Sequence, residues 1–131
     1  MNGLESERNL LAKKSNNLDG IIAIPGDKSI SHRAIMISML AEGKTKIYNF
    51  LEAEDTLITI NVARQLGIEI NQSSNFFEVQ GKGLNGIKQP DKDLYFGNSG
   101  TSMRLFIGIL SAQNFPSILT GDDSLSQRPM E

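Results

Sequence analysis

One turn-and-helix pattern occurs twice in this chain, and it sets the architecture. "GDKSISHR" runs from Gly26 to Arg33 and "GNSGTSMR" from Gly97 to Arg104, a displacement of 71 residues. At that shift Ser31 also meets Ser102, Ala41 falls on Ala112 and Ile47 on Ile118. After a gap of three residues, "EDTL" at Glu54 meets "DDSL" at Asp122. Both halves spell glycine turn, buried apolar helix, strand, acidic cap and helix. Units of this kind bury their apolar faces by stacking on one another. The repeat predicts an α/β fold of stacked βαββαβ units. A third string, "GDDSLSQR" from Gly121 to Arg128, is closer to the first in letters, but the order of strands and helices does not follow it.

The segments between these motifs can be read from periodicity. "GIIAIPG" is a short apolar run closed by Pro25 and Gly26, which predicts a strand ending in a turn. Ser31–Ala41 is apolar on most sides and predicts a buried helix, with Gly43 as its terminating glycine. "KTKIYNFL" predicts a strand, and Asp55 an N-cap for the helix "TLITINVARQL", closed by Gly67. "IEI" and "FFEVQG" flank "NQSSN" as a hairpin, and "KGLNGIKQPDKD" is a polar loop. "LYF" predicts a short strand, Thr101–Ala112 a second apolar helix, and "FPSILTG" a strand. Asp122 and Asp123 then supply cap-type residues with little helix body after them. The chain is therefore expected to be a piece of something longer, or to have partner sequence elsewhere.

Composition removes several function classes. With a formal net charge of −2, no global basic field recruits nucleic acid or a membrane surface. The absence of cysteine excludes disulfides and thiolate chemistry, and one histidine is too few for a His-rich metal site. No apolar run reaches the ~18 residues of a membrane span. "MNGLESERNLLAKKSNN" mixes acids and bases without a long apolar stretch, so it is neither a secretory signal nor a transit peptide. Residues 1–17 read as a mobile tail able to hold a short helical stretch, and 18–131 as a partial domain.

Any anion site must then be a local cluster, and each repeated motif sits where a strand hands over to a helix. There the first N–H groups are unpaired and the macrodipole is positive. Small residues let an anion approach that backbone. "PGDKSISHR" adds Lys28 as a compact charge, Ser29 and Ser31 as hydroxyls and Arg33 as a bidentate fork. It is not a Walker A loop, since Asp27 stands where glycine would precede the lysine. The alternative is a capped helix with solvated Lys and Arg. Asn98 offers hydrogen bonding, Gly100 close backbone approach, and Thr101 or Ser102 a cap, unless this is an ordinary helix start. Arg104 is expected to find a carboxylate or carbonyls, and Arg128 lies beside a proline that fixes the chain. His32 is a candidate general acid or base, or a hydrogen-bonded structural residue; the methionines are core fillers.

In order, "PGDKSISHRA", "EDT", "FGNSGTSMRL" and "GDDSLSQRPM" resemble the N-terminal part of the 5-enolpyruvylshikimate-3-phosphate synthase (3-phosphoshikimate 1-carboxyvinyltransferase) family, from about Leu18 onward. The related transferases acting on UDP-N-acetylglucosamine share the fold but lack "GDKSISHR" and usually carry a reactive cysteine. The resemblance implies an inverse α/β prism, here with about one and a half of its repeated units. It implies transfer of the enolpyruvyl group of phosphoenolpyruvate to the 5-hydroxyl of shikimate 3-phosphate, in the route to chorismate and the aromatic amino acids. No metal or cofactor is expected, the location is cytoplasmic, and the full-length enzyme is a monomer. By motif position Lys28 touches both substrates and is the catalytic candidate, able to move a proton if burial and Arg neighbours lower its pKa. Ser29 and Arg33 hold shikimate 3-phosphate, Asn98 and Gly100 border the phosphoenolpyruvate pocket, and Arg128 grips that ligand. Lys28, Arg33 and Arg128 are expected to converge on one pocket. Family members are much longer, and their second domain, acidic catalytic residues and Ser-Ser-Gln phosphate site have no counterpart here. Leu105 stands where many members have proline. The piece alone is expected to be inactive, and the alternative readings are a free-standing anion-binding module and a decayed gene product.

Overall fold

Asp27 starts the first helix, α1, which spans Lys28–Leu40. Its backbone is extended and its carboxylate accepts the Ile30 N–H at 2.8 Å, which satisfies one of the unpaired donors of the first turn. The computed structural model describes residues 10–15 and 17–130. Of the tail expected over 1–17, residues 1–9 and 16 lie outside the described residues, and 10–15 and 17 are exposed without helix or strand.

After α1 come β1 (Glu42–Tyr48), α2 (Glu54–Gln65), β2 (Glu69–Gln72) and β3 (Phe76–Lys82). The three strands form one sheet in the order β1-β3-β2, antiparallel at both joins. β1 and β2 are therefore parallel to one another, with α2 as their crossover. Alternation decides which face is covered: Phe77 and Val79 are buried, and Ile47 and Ile70 pair beside them in register. α1 packs onto this face so closely that a Cβ on Gly81 would stand 2.2 Å from the Ala41 carbonyl oxygen. The expected hairpin is present as β2–β3. Gly67 closes α2 as expected, at φ +84, with its N–H on the Arg64 carbonyl and that of Ile68 on the Ala63 carbonyl.

The second half comprises β4 (Leu94–Tyr95), α3 (Gly100–Leu110), β5 (Leu119–Thr120) and α4 (Asp123–Ser126). β4 and β5 are parallel, with α3 as the crossover. Leu94, Phe96, Phe106 and Leu125 join Ile35, Met39, Ile60, Leu66 and Val79 in one continuous core. Met36, Met39 and Met103 are buried fillers, as expected. The α/β class and the paired helix–strand halves stand, and inside the first unit the order is helix, strand, helix, hairpin, rather than βαββαβ.

Three local expectations are corrected. "GIIAIPG" is not a strand: Ile21, Ile22 and Ile24 are exposed and unpaired. Its counterpart β4 is held to β5 by the Phe96 N–H on the Thr120 carbonyl, and the residue matching Phe96 in the first half is Pro25, which has no N–H to give. α1 and α3 are each buried on one face only; Ile30 and Ile37 of α1 and Leu105 and Ile107 of α3 are open to solvent because no element among the described residues covers them. Gly43, at φ +95, lies within β1, and α1 is closed instead by Ala41, whose N–H bonds the Ile37 carbonyl.

Candidate functional site

Helix starts build the site. Lys28 is the first residue of α1, and its ammonium is ion-paired with the Asp55 carboxylate in the first turn of α2. Asp55 is thus not the N-cap it was expected to be. Ala53 holds that position, and the Thr56 hydroxyl accepts the Ala53 N–H at 3.0 Å, which makes α2 begin one residue before Asp55 and leaves its carboxylate free to face α1. Ser31 fastens the approach to α2, donating to the Asp27 carbonyl at 2.8 Å and accepting the Leu51 N–H at 3.0 Å. Gly26 is required here, since a Cβ would run into the Asn49 carbonyl oxygen. Ser29 and Arg33 stand exposed on α1.

A second cluster surrounds the start of α3. Asn98 is held at both ends of its amide: Nδ2 donates to Asp122 at 3.0 Å, and Oδ1 accepts from Arg128. The other Asp122 oxygen caps α4 through the Leu125 N–H at 2.7 Å, and the Asp122 N–H bonds the Gly97 carbonyl. The Arg104 guanidinium donates to the Pro129 carbonyl at 2.8 Å, one of the partners expected for it. A Cβ on Gly100 would lie 2.9 Å from Arg104 Nη1 and 3.3 Å from Arg128 Nη1, so two guanidinium groups flank this glycine. The cap of α3 is Ser99, not Thr101 or Ser102. Ser102 instead points into the core, because it is one of the residues on the buried face.

The two clusters meet below the surface. His32, one turn after Lys28, places Nδ1 2.7 Å from the hydroxyl of Thr59, one turn after Asp55. That hydroxyl is 2.8 Å from Ser102 Oγ on α3. All three side chains are completely buried, or nearly so, and they join the starts of α1, α2 and α3. Burial, and then the nearby Lys28 ammonium, hold the His32 pKa below 6.5, with Asp55 opposing. His32 is therefore a neutral, internal hydrogen-bonding group. Sequence reasoning missed Thr59 altogether; the available signal was that Lys28–His32 and Asp55–Thr59 share the same four-residue spacing at two helix starts.

The structure brings Asn98, Gly100 and Arg128 together and sets Lys28 against α2. Lys28, Arg33 and Arg128 are all exposed side chains. Lys28 is half exposed and ion-paired with a carboxylate, so the burial envisaged for it is not found.

The family model of EPSP synthase (3-phosphoshikimate 1-carboxyvinyltransferase) matches residues 12–131. The chain belongs to the EPSP synthase family. It is 51% identical over 121 residues to the 3-phosphoshikimate 1-carboxyvinyltransferase of Streptococcus mutans, covering 92% of this chain and 28% of the relative. With that of Petrotoga mobilis it shares 54% identity over 116 residues, covering 88% of this chain and 27% of the relative. Among solved structures, EPSP synthase from Acinetobacter baumannii superposes with a TM-score of 0.81 at 51% identity, over 85% of this chain and 26% of that one. The chain thus spans little more than a quarter of the length of the EPSP synthases it matches. Among the described residues, no helix is long and apolar enough to cross a membrane.

Proposed function

We propose that this chain contributes one face of an enolpyruvyl transfer site, which moves the enolpyruvyl group of phosphoenolpyruvate to the 5-hydroxyl of shikimate 3-phosphate. In the addition, the 5-hydroxyl gives up its proton as its oxygen bonds to C2 of phosphoenolpyruvate, and the C2–C3 double bond becomes single as C3 takes up a proton. In the elimination, the C2–O bond to phosphate breaks and C3 loses a proton. Both substrates are polyanions, so holding and neutralising them is a large part of the work. Lys28 is the group assigned to both ligands and to catalysis. Ser29 and Arg33 hold shikimate 3-phosphate; Asn98, Gly100 and Arg128 form the phosphoenolpyruvate side. The site acts in chorismate formation, in the cytoplasm, on small-molecule anions, and the whole enzyme works as a monomer.

The observation that carries this reading is that the starts of α1 and α3, with Lys28 and Asn98, are tied together through Thr59 of α2 in a chain that is half identical to 3-phosphoshikimate 1-carboxyvinyltransferases. Titration calorimetry of the 131-residue chain with shikimate 3-phosphate tests it. Saturable binding lost in Lys28→Ala supports the assignment, and a Lys28→Ala chain of unchanged affinity overturns it. Phosphate release from the two substrates by the chain alone is not expected, because Lys28 and Asp55 here neutralise one another and the chain spans little more than a quarter of its relatives' length.

A further inference from the structure

His32 is completely buried, so it has no route to a substrate and cannot exchange protons with one. Its position is informative for another reason. Nδ1 lies 2.7 Å from Thr59 Oγ1, which lies 2.8 Å from Ser102 Oγ, and the residues come from three different helices. Nε2 is buried with no partner among the described residues. A buried N–H left unpaired is rarer than an unpaired acceptor, so the arrangement that fits places the proton on Nδ1. That proton is then donated to Thr59, whose oxygen also accepts from Ser102 at 2.8 Å while its own hydroxyl donates to the Asp55 carbonyl at 3.3 Å. The hydrogen bonds from α1 and α3 thus converge on Thr59 of α2.

Three polar side chains thus occupy core positions where aliphatic residues would pack at no desolvation cost. A buried polar link of this kind fixes geometry that apolar packing leaves free to slide. It sits one turn beneath Lys28, one turn beneath Asp55 and two residues beyond Gly100. Any slip of α1 along α3 would move the Lys28 ammonium relative to the Gly100 turn, and with it the Arg128 guanidinium. We propose that His32 is a positioning residue, which acts through Thr59 and Ser102 to hold Lys28 and the start of α3 in the register that two adjacent anionic substrates require. This rests on the enolpyruvyl transfer reading, since it is the two-substrate site that needs the register.

The test uses four variants of the 131-residue chain. Thr59→Val keeps the shape of threonine and removes its hydroxyl, and Thr59→Ser keeps the hydroxyl. His32→Leu removes the ring donor, and His32→Asn presents an amide where Nδ1 stands. Shikimate 3-phosphate affinity is measured by calorimetry, folding by thermal melting, and helix register by the backbone amide resonances of Lys28 and Gly100–Met103. Thr59→Val and His32→Leu are expected to weaken binding by about tenfold, the size of one lost buried hydrogen bond. They should shift the α3 amides while the chain stays folded. Thr59→Ser and His32→Asn should restore both readouts. Unmoved α3 amides in Thr59→Val overturn the proposal, as do moved amides with unchanged affinity. Should His32→Leu or Thr59→Val not fold, Ser102→Ala breaks the same chain at its far end and is held to the same criteria. A parent chain that binds no shikimate 3-phosphate defeats the proposed function, and the amide shifts alone then decide whether His32 sets the register.

Discussion

The Lys28 ammonium meets the Asp55 carboxylate across the starts of α1 and α2, so the main cation of the first cluster is already partnered before any anion arrives. Both side chains keep contact with solvent, and such pairs contribute about 0–1 kcal/mol to folding. Their effect on binding is larger than their effect on stability, because a dianionic ligand must share Lys28 with Asp55 or displace it. Asp55→Asn is therefore expected to leave the melting temperature within a few degrees and to tighten shikimate 3-phosphate binding several-fold at low salt. The gain should shrink as ionic strength rises. Calorimetry at two salt concentrations reads this, and weaker binding in the variant would show that Asp55 orients Lys28 more than it competes for it.

Around Gly100 the expected outcome separates fold from ligand. A Cβ there would crowd Arg104 Nη1 and Arg128 Nη1, which are the far ends of flexible side chains and can move aside. Gly100 is also the first residue of α3, where alanine is at least as good a helix former. Gly100→Ala should thus change stability by no more than about 1 kcal/mol. Displacing Arg128 should nonetheless weaken phosphoenolpyruvate binding measurably, and Asn98→Ala should do the same by removing the acceptor that holds that guanidinium. Equal phosphoenolpyruvate affinity in the parent chain and both variants would remove Arg128 from the site.

What could be read from the letters was whatever depends on neighbours in the chain. Gly67 closes α2 and Asp122 caps α4 because capping is a matter of three or four consecutive residues. The hairpin at 73–75 follows from strand patterns on either side of a short polar loop. The fate of Gly20–Gly26 was not readable in this way, since an apolar run becomes a strand only if another strand accepts its hydrogen bonds. Nor was the site fully visible. Lys28, Asn98 and Gly100 stand out as charge, amide or glycine at helix starts and Arg128 as a charge beside proline, whereas Thr59 looks like any threonine in a helix until α1 and α3 are packed against it. Asp55 was visible as an acid but misassigned, because the cap of α2 is formed by the Ala53 backbone and the Thr56 hydroxyl.

The buried histidine gives stability a defined pH dependence. Burial, then Lys28, disfavour the charged ring in the folded chain, while the unfolded chain titrates near 6.5. Between 6.5 and the lower folded value, only the unfolded state takes up the proton. This contribution to stability is therefore complete above pH 6.5 and is lost as pH falls through the folded pKa. Denaturant melts from pH 7.5 to 5 should show the midpoint falling, and the fall should be smaller in His32→Asn, which has no titrating ring. Parallel curves for the two chains would mean that His32 protonates as readily folded as unfolded.

A tight constraint on the sheet is the contact between α1 and β3 at Gly81. A Cβ there would lie 2.2 Å from the Ala41 carbonyl oxygen and 2.3 Å from that of Ser38. Both are backbone atoms of the helix end, so no side-chain rotation relieves the overlap. To accept a methyl group, the end of α1 would have to lift off the sheet, and the Gly83 N–H would be pulled away from the Ala41 carbonyl it now bonds at 3.0 Å. Overpacking of this kind costs about 1–3 kcal/mol where side chains can yield, and the upper end or beyond is expected against fixed backbone. Gly81→Ala should therefore lower the unfolding free energy by about 3 kcal/mol or more. A substitution that adds one carbon at Gly43, where a Cβ would meet nothing within 4 Å but φ is +95, should cost only the strain of that backbone, about 1–2 kcal/mol. Urea melts of the two alanine variants side by side check the order, and a Gly81→Ala chain as stable as Gly43→Ala would mean that α1 does not sit on β3 at this distance.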